Sequence, residues 1–219
     1  MAMAEVIKPG AVSVLDYGCG GSPYRQLFQN TDYKRADFLD CGELDYKLAE
    51  DSRVPEKNCT FDFILSTQVL EHVTDPRVYL AECHRLLKPE GELALTTHGT
   101  FEDHGCPYDF HRWTAEGLRR ILEASGFDVV RLDKLTTGPR AVVFLCERFA
   151  STLSASRRTA FGLVLWLLRK GLRRHKRYVH LQCDKAFAAN RSVNATQQGH
   201  ALYIGLLAVC RKSGRQPAL

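Results

Sequence analysis

Two stretches of the chain concentrate side chains able to do chemistry. The first, VLDYGCGGSPY, places Asp16 directly before a turn in which Gly18, Gly20 and Gly21 let the backbone bend tightly and approach a ligand closely. Exposed N–H groups in such a turn, and at a helix start behind it, favour an anionic group. A carboxylate at Asp16 would repel a phosphate, but it suits a ligand carrying both an ammonium and a carboxylate. The second stretch, THGTFEDHGCPYDFHRWT, holds His98, Asp103, His104, Tyr108, Asp109, His111, Arg112 and Trp113. Neutral imidazole is a natural base near pH 7. His98 and His104, and after them His111, are therefore the candidate catalytic bases. The plainer reading is that Tyr108 to Trp113 pack this segment onto the core.

Further acids stand where a nucleoside would need them. Asp37 lies 19 residues beyond Gly18, and its two acceptor oxygens can take both hydrogens of a ribose diol. Asp51, before Ser52-Arg53-Val54-Pro55, can accept from an adenine amino group while Val54 packs on the purine. S-adenosylmethionine joins such a nucleoside to an amino-acid tail. A dinucleotide fingerprint would place a third glycine at position 23, where Pro23 stands. The glycines also suit a bare strand-to-helix turn. Asp37 and Asp51 also read as solvated loop acids, and Glu50 adjoins the latter.

These residues need elements to position them. Val12 to Leu15, Lys34 to Phe38, Phe61 to Ser66, Glu92 to Thr97 and Phe127 to Leu132 read as strands. Between them, Ser22-Pro23 and Asp75-Pro76 give cap-then-proline helix starts, predicting a helix through Tyr24–Gln29 and one carrying Leu80, Cys83 and Leu87. Pro89 and Gly91 stop the second. Thr114 caps a third helix through Ser125, with Leu118, Ile121 and Leu122 on one face, closed by Gly126. Strands alternating with helices predict an α/β fold, a mostly parallel sheet covered on both faces. Ligands in such sheets bind beyond the carboxyl ends of the strands, here the loops after Leu15, Ala36, Ser66 and Thr97. Residues 150–177 read as one or two helices, 184–199 as a polar loop and 200–211 as a buried final strand.

Composition narrows the function classes. The chain has 219 residues, 45% hydrophobic and 25% charged, within the globular range. Its longest apolar run, Phe161 to Leu168, falls short of the ~20 residues that cross a bilayer. MAMAEVIKPG lacks the layout of a secretory signal, so a cytoplasmic address is expected. The eight cysteines include no C-x-x-C pair, and they are expected to be reduced and mostly buried. Eight Lys or Arg residues lie between Arg157 and Arg177 with no Asp or Glu among them, more than the whole net charge of +5. The bulk of the chain is thus no nucleic-acid surface. The basic helix, with Trp166 and Leu167 nearby, suits a membrane surface or a lipid-phosphate-linked substrate; a lid or homodimer helix fits equally.

Asp16-x-Gly18-x-Gly20, Asp37, Asp51-Ser-x-Val-Pro and FDFILSTQVLEHV together resemble the class I S-adenosylmethionine-dependent methyltransferases, most closely the type 11 subgroup. The resemblance covers roughly residues 11–132 and the final strand. It implies a Rossmann-like seven-stranded sheet with the last strand antiparallel. One methyltransferase domain is expected, with a cofactor-binding core over 1–145, a helical insert over 146–199 and the final strand over 200–212. The cofactor would lie on Asp16, Gly18, Gly20, Asp37, Asp51, Ser52 and Gln68, the last lining the cofactor in relatives. Ser22 stands where many relatives have a third glycine. Glu71-His72 is similar to the pair through which some relatives bind a divalent ion, but Gln68 replaces their first acid. A neutral amide is a poorer ligand for a hard cation, so no metal is expected, and the pair can simply brace a helix start. PYDFHRWT leading into TAEGLRRILEASGF resembles type 11 enzymes of bacterial polysaccharide and sugar modification. The implied activity is methyl transfer to a small-molecule or glycan-type acceptor, at a hydroxyl oxygen. A nicotinamide oxidoreductase on a similar sheet and a catalytically silent partner- or membrane-binding relative are the rivals.

Overall fold

The computed structural model describes residues 13–40, 42–49, 51–152, 159–186, 192–194 and 202–215. Eight strands form one sheet: β1 (Ser13–Tyr17), β2 (Asp32–Asp37), β3 (Tyr46–Lys47), β4 (Phe61–Thr67), β5 (Leu87–His98), β6 (Phe127–Thr137), β7 (Ser192–Asn194) and β8 (Tyr203–Lys212). Their order is β3-β2-β1-β4-β5-β8-β6-β7. β3, β2, β1, β4 and β5 pair in parallel, and β8 enters antiparallel between β5 and β6. This is the expected mostly parallel sheet with an antiparallel last strand, plus a short edge strand. That edge strand, β7, lies inside the stretch read from sequence as a polar loop; three residues carry too little alternation to reveal a strand.

The apolar runs explain the layers. Phe61, Phe63, Ile64 and Leu65 on β4 are buried, as are Tyr203 to Cys210 along β8. Continuous apolar strands of this kind need cover on both faces. Helix α1 (Pro76–Leu86) supplies Tyr79, Leu80, Cys83 and Leu86, and α2 (Ala115–Ala124) supplies Leu118 and Leu122. Both begin as their sequences predict: the Asp75 carboxylate accepts from the Arg77 N–H with Pro76 in the first turn, and the Thr114 hydroxyl accepts from the Gly117 N–H.

The first predicted helix is different. In place of a helix over Tyr24–Gln29 there is a single 3-10 turn, Arg25–Leu27, with no side-chain cap. Ser22 takes φ +49°, the left-handed region, whereas a capping serine needs extended backbone. Ser22 thus holds a backbone conformation that favours glycine, and it caps nothing.

After β6, α3 (Gly138–Thr152) and α4 (Ala160–Ala186) pack on each other. No helix among the described residues is long and apolar enough to cross a membrane. Among the described residues, six cysteines are free. The expectation that they are mostly buried is only half right: Cys19, Cys83 and Cys210 are buried, but Cys59, Cys106 and Cys146 are exposed. Cys41 lies outside the described residues, and of Cys183 only its place on α4 is described.

Candidate functional site

The carboxyl ends of β1, β2 and β4 meet where strand order reverses around β1, and the loop after β3 joins them. Register puts Asp16 beside Arg35 on one side and Leu65 on the other. The glycine turn is folded over this edge. Gly18 N–H donates to the Ala36 carbonyl at 2.8 Å, and Gly20 N–H donates to Asp37 Oδ2 at 2.7 Å. Asp37 Oδ1 accepts from the Leu39 N–H, so this carboxylate positions the turn, while each of its oxygens keeps acceptor capacity for a diol. Gly18 sits at φ +79°, and a Cβ there would stand 2.3 Å from Val69 Cγ2. Beside Gly20 and Gly21 the space is open. The turn is therefore tight on its inner side and clear on its outer one.

Asp16 is 1% exposed. Tyr33 donates its hydroxyl to Asp16 Oδ2, while the buried Oδ1 has no hydrogen-bond partner among the described residues. Burial, helped by the charge of Asp37 and opposed by the Tyr33 hydrogen bond and Arg35, raises its pKa to about 6. An orphaned buried carboxylate oxygen is costly unless something pairs with it. An ammonium group arriving over the open side of the glycine turn would do so, and this fits the amino-acid end of S-adenosylmethionine.

Tyr17, next in sequence, donates its hydroxyl to the Ser52 carbonyl, which moors the loop after β3 to the end of β1. Asp51 is exposed on that loop and accepts from the Arg53 N–H. Val54, expected against a purine, is 2% exposed within the core. Its N–H donates to the buried carboxylate of Glu82, which turns this segment inward. Gln68 lies exposed just after β4 at φ +57°; its backbone N–H donates to the Thr96 carbonyl and its side-chain amide to Thr96 Oγ1.

The end of β5 carries the histidines. Glu71, fully buried, accepts from His98 Nδ1 at 2.5 Å and from the Thr97 hydroxyl at 2.7 Å. Burial alone would push this carboxyl up, but the hydrogen bonds from His98 and Thr97 outweigh it and hold the group below its ordinary value. An ionised Glu71 keeps the proton on His98 Nδ1, and the lone pair is then on Nε2. The His98 and His104 rings are 4.6 Å apart, and the His104 and His72 rings 4.7 Å. Burial first, and then the nearness of His98 and His72, lower the His104 pKa and favour its neutral ring. His111 contacts Trp113 and Phe110 instead, and its Nε2 donates to the Val73 carbonyl. Asp109 and Arg112 stiffen the loop: the guanidinium pairs with Asp109 and binds the carbonyls of Phe101, Glu102 and His111.

Glu71, His98 and His104 each bring one ligand atom within 4.8 Å of the others, close enough to share a cation. In the arrangement present, Glu71 and His98 spend that proximity on their own hydrogen bond.

Phe101 lies 4.1 Å from the His98 ring. It also walls a cleft of about 250 Å³ with Glu102, Leu145, Arg148 and Phe149. Arg148 pairs with Glu102 and lies 5.6 Å from the centre of the Phe101 ring. No single motif signals this cleft in the sequence, since three of its five wall residues, Leu145, Arg148 and Phe149, come from α3, far downstream of Phe101 and Glu102.

The chain is similar to known proteins. A family model described as a methyltransferase domain matches residues 3–132. The ubiquinone biosynthesis O-methyltransferase of Xanthomonas axonopodis is 29% identical over 107 residues, 42% of this chain and 45% of that one. Its counterpart in Dinoroseobacter shibae is 32% identical over 149 residues, 53% and 60% of the two chains. The chain thus spans about half the length of the curated relatives it matches. Among solved structures, the cyclase SpnF aligns over 97% of this chain and 78% of its own with a TM-score of 0.59 and 20% identity, a likeness of fold. With the family model covering more than half of the sequence, and an orphaned acid beside a glycine turn at the sheet's switch point, this chain belongs to the class I methyltransferases, enzymes that draw their methyl group from S-adenosylmethionine.

Proposed function

We propose that the protein methylates a hydroxyl oxygen of a small-molecule or glycan-type acceptor held in the Phe101–Phe149 cleft, with His98 as the base. The observation that carries this reading is the 2.5 Å hydrogen bond from His98 to buried Glu71. Oxygen is favoured because a hydroxyl, unlike an amine, must lose its proton during transfer, and a histidine oriented by a carboxylate is built to take one. The two curated relatives are both named as O-methyltransferases, which points the same way. The glycan reading rests on the PYDFHRWT resemblance.

Asp16 would hold the amino-acid end of the cofactor, Asp37 the ribose, and Asp51, Ser52 and Gln68 the loops around the base. Bound there, S-adenosylmethionine supplies a methyl on a sulfonium sulfur and departs as a neutral thioether, so the chain has no leaving group to protonate. What remains for the protein is alignment, exclusion of water and removal of one proton. His98 Nε2 accepts that proton, and Glu71 steadies the imidazolium that results. The single domain would use the α3–α4 hairpin as its acceptor-side wall.

The test is transfer of isotopically labelled methyl to two hydroxylated probes, a free hexose and a catechol, followed by mass spectrometry of the product. A methyl ether whose formation collapses in His98→Ala is expected. Methylation confined to nitrogen or carbon, or a rate indifferent to that substitution, would overturn the reading.

A further inference from the structure

Among the described residues, helix α4 has a face that nothing covers. Leu163, Leu167, Lys170, Arg174, Tyr178 and Leu181 recur at intervals of four, three, four, four and three residues, the spacing that stacks side chains along one side of a helix. All six are exposed, the apolar members by 48% (Leu163), 53% (Leu167), 61% (Tyr178) and 49% (Leu181). The other side of the helix is occupied. Leu165 is 5% exposed, and the Arg169 guanidinium donates to the carbonyls of Ala150 and Ser151 at the end of α3. Phe161, Val164, Phe149 and Val142 add further exposed apolar surface to the same hairpin. Scattered exposed apolar residues are ordinary, but a contiguous set of this kind marks a contact surface.

Charge decides which contact. Between Arg157 and Arg177 the sequence has eight cations and no acid, and Arg169, Lys170, Arg173, Arg174, Lys176 and Arg177 all fall on α4. A second copy laid along this face would bring its own cations against Lys170 and Arg174, with no Asp or Glu between residues 157 and 177 to pair them, which is destabilising. An anionic lipid surface meets both demands at once. Leucine and tyrosine side chains enter the headgroup boundary, and Lys and Arg stems lie along it with their charges among the phosphates. Trp166, with Lys170 4.9 Å from its ring centre, is a residue of the same interfacial kind. At ~1.5 Å per residue the helix is long enough to lie on a bilayer as a rod of about 40 Å.

We propose that α4 docks this protein flat on an anionic membrane surface through the Leu163–Leu181 face. Phe149 belongs both to the exposed side of the hairpin and to the wall of the cleft, so docking brings the cleft to the lipid. An acceptor carried on a lipid anchor would then reach it; that last clause, unlike the docking itself, rests on the cleft being the acceptor site.

The experiment is cosedimentation of the full chain with vesicles of phosphatidylglycerol and phosphatidylcholine in equal parts, and with pure phosphatidylcholine. Binding to the first but not the second is expected. It should weaken on the order of tenfold or more in Lys170→Glu/Arg174→Glu, since each cation near a charged surface contributes roughly 1 kcal/mol. Leu167→Glu should weaken it independently of salt. S-adenosylhomocysteine binding by calorimetry, expected unchanged, shows that the variants are folded and keeps this test apart from failure of the catalytic reading. No sedimentation with anionic vesicles, or sedimentation indifferent to both variants, overturns the proposal. So does a dimer in sedimentation velocity that Leu167→Glu dissociates in the absence of any vesicle binding.

Discussion

His98 Nδ1 lies 2.5 Å from Glu71 Oε1, although 27 residues separate the two in sequence. The parallel register of β4 and β5 closes that gap, setting Thr67 beside Thr96 so that the chain leaving β4 runs next to the end of β5. Glu71→Gln should lower kcat on the order of a hundredfold, and His98→Ala further, within the 10²–10⁴ range of a positioned base. S-adenosylhomocysteine affinity should be unchanged in both. Steady-state kinetics beside calorimetry separates these effects, and a loss of cofactor affinity in Glu71→Gln would assign Glu71 to the scaffold instead.

Cofactor binding should follow the titration of Asp16. Its carboxyl is raised to about 6 by burial, so the stability it contributes is present at acid pH and is lost as the pH rises through that value. An ammonium partner favours the ionised form. The rise in Tm produced by S-adenosylhomocysteine should therefore grow as the pH passes upward through about 6. Asp16→Asn should flatten that dependence while raising the Tm of the free protein. A thermal-shift series across pH with both proteins checks this.

Gly18→Ala should destabilise the fold by about 2 kcal/mol or more, because the new methyl meets Val69 and the left-handed backbone strains any side chain. Adding Val69→Ala should recover only part of the loss, since it removes the collision and leaves the strain. Gly20→Ala, in open space though also at positive φ, should cost less in stability and more in cofactor affinity. Denaturant melts and calorimetry on the three variants test the contrast.

Treatment with EDTA should leave the methylation rate unchanged. Glu71 and His98 are engaged with each other, and a base needs the His98 lone pair that a cation would occupy. A rate abolished by chelation and restored by a divalent ion would instead give Glu71, His98 and His104 the role of ligands.

The sequence shows β1, β2, β4, β5, β6 and β8, the caps of α1 and α2 and the glycine turn because each is a local pattern, whereas β3 and β7 are too short to carry one. Asp75-Pro76 and Thr114 fulfil their signals within one helical turn. Ser22-Pro23 carries the same letters yet caps nothing, since the turn before it has already set Ser22 at positive φ. Val54 misleads in a similar way: its apolar character fits a purine or a core, and only the distant Glu82 decides between them. The pairing of Glu71 with His98, the mooring of Ser52 by Tyr17 and the cleft shared with α3 are products of register, which no stretch of residues displays by itself.

β8 fills a slot between two strands made before it. Until residues 203–212 have left the ribosome, β5 and β6 each present a bare hydrogen-bonding edge, while the α3–α4 hairpin has already emerged. Closure of the sheet thus waits for residues 203–212, and a newborn chain with a greasy, cationic hairpin outside and two unpaired edges inside is the form most exposed to misassembly.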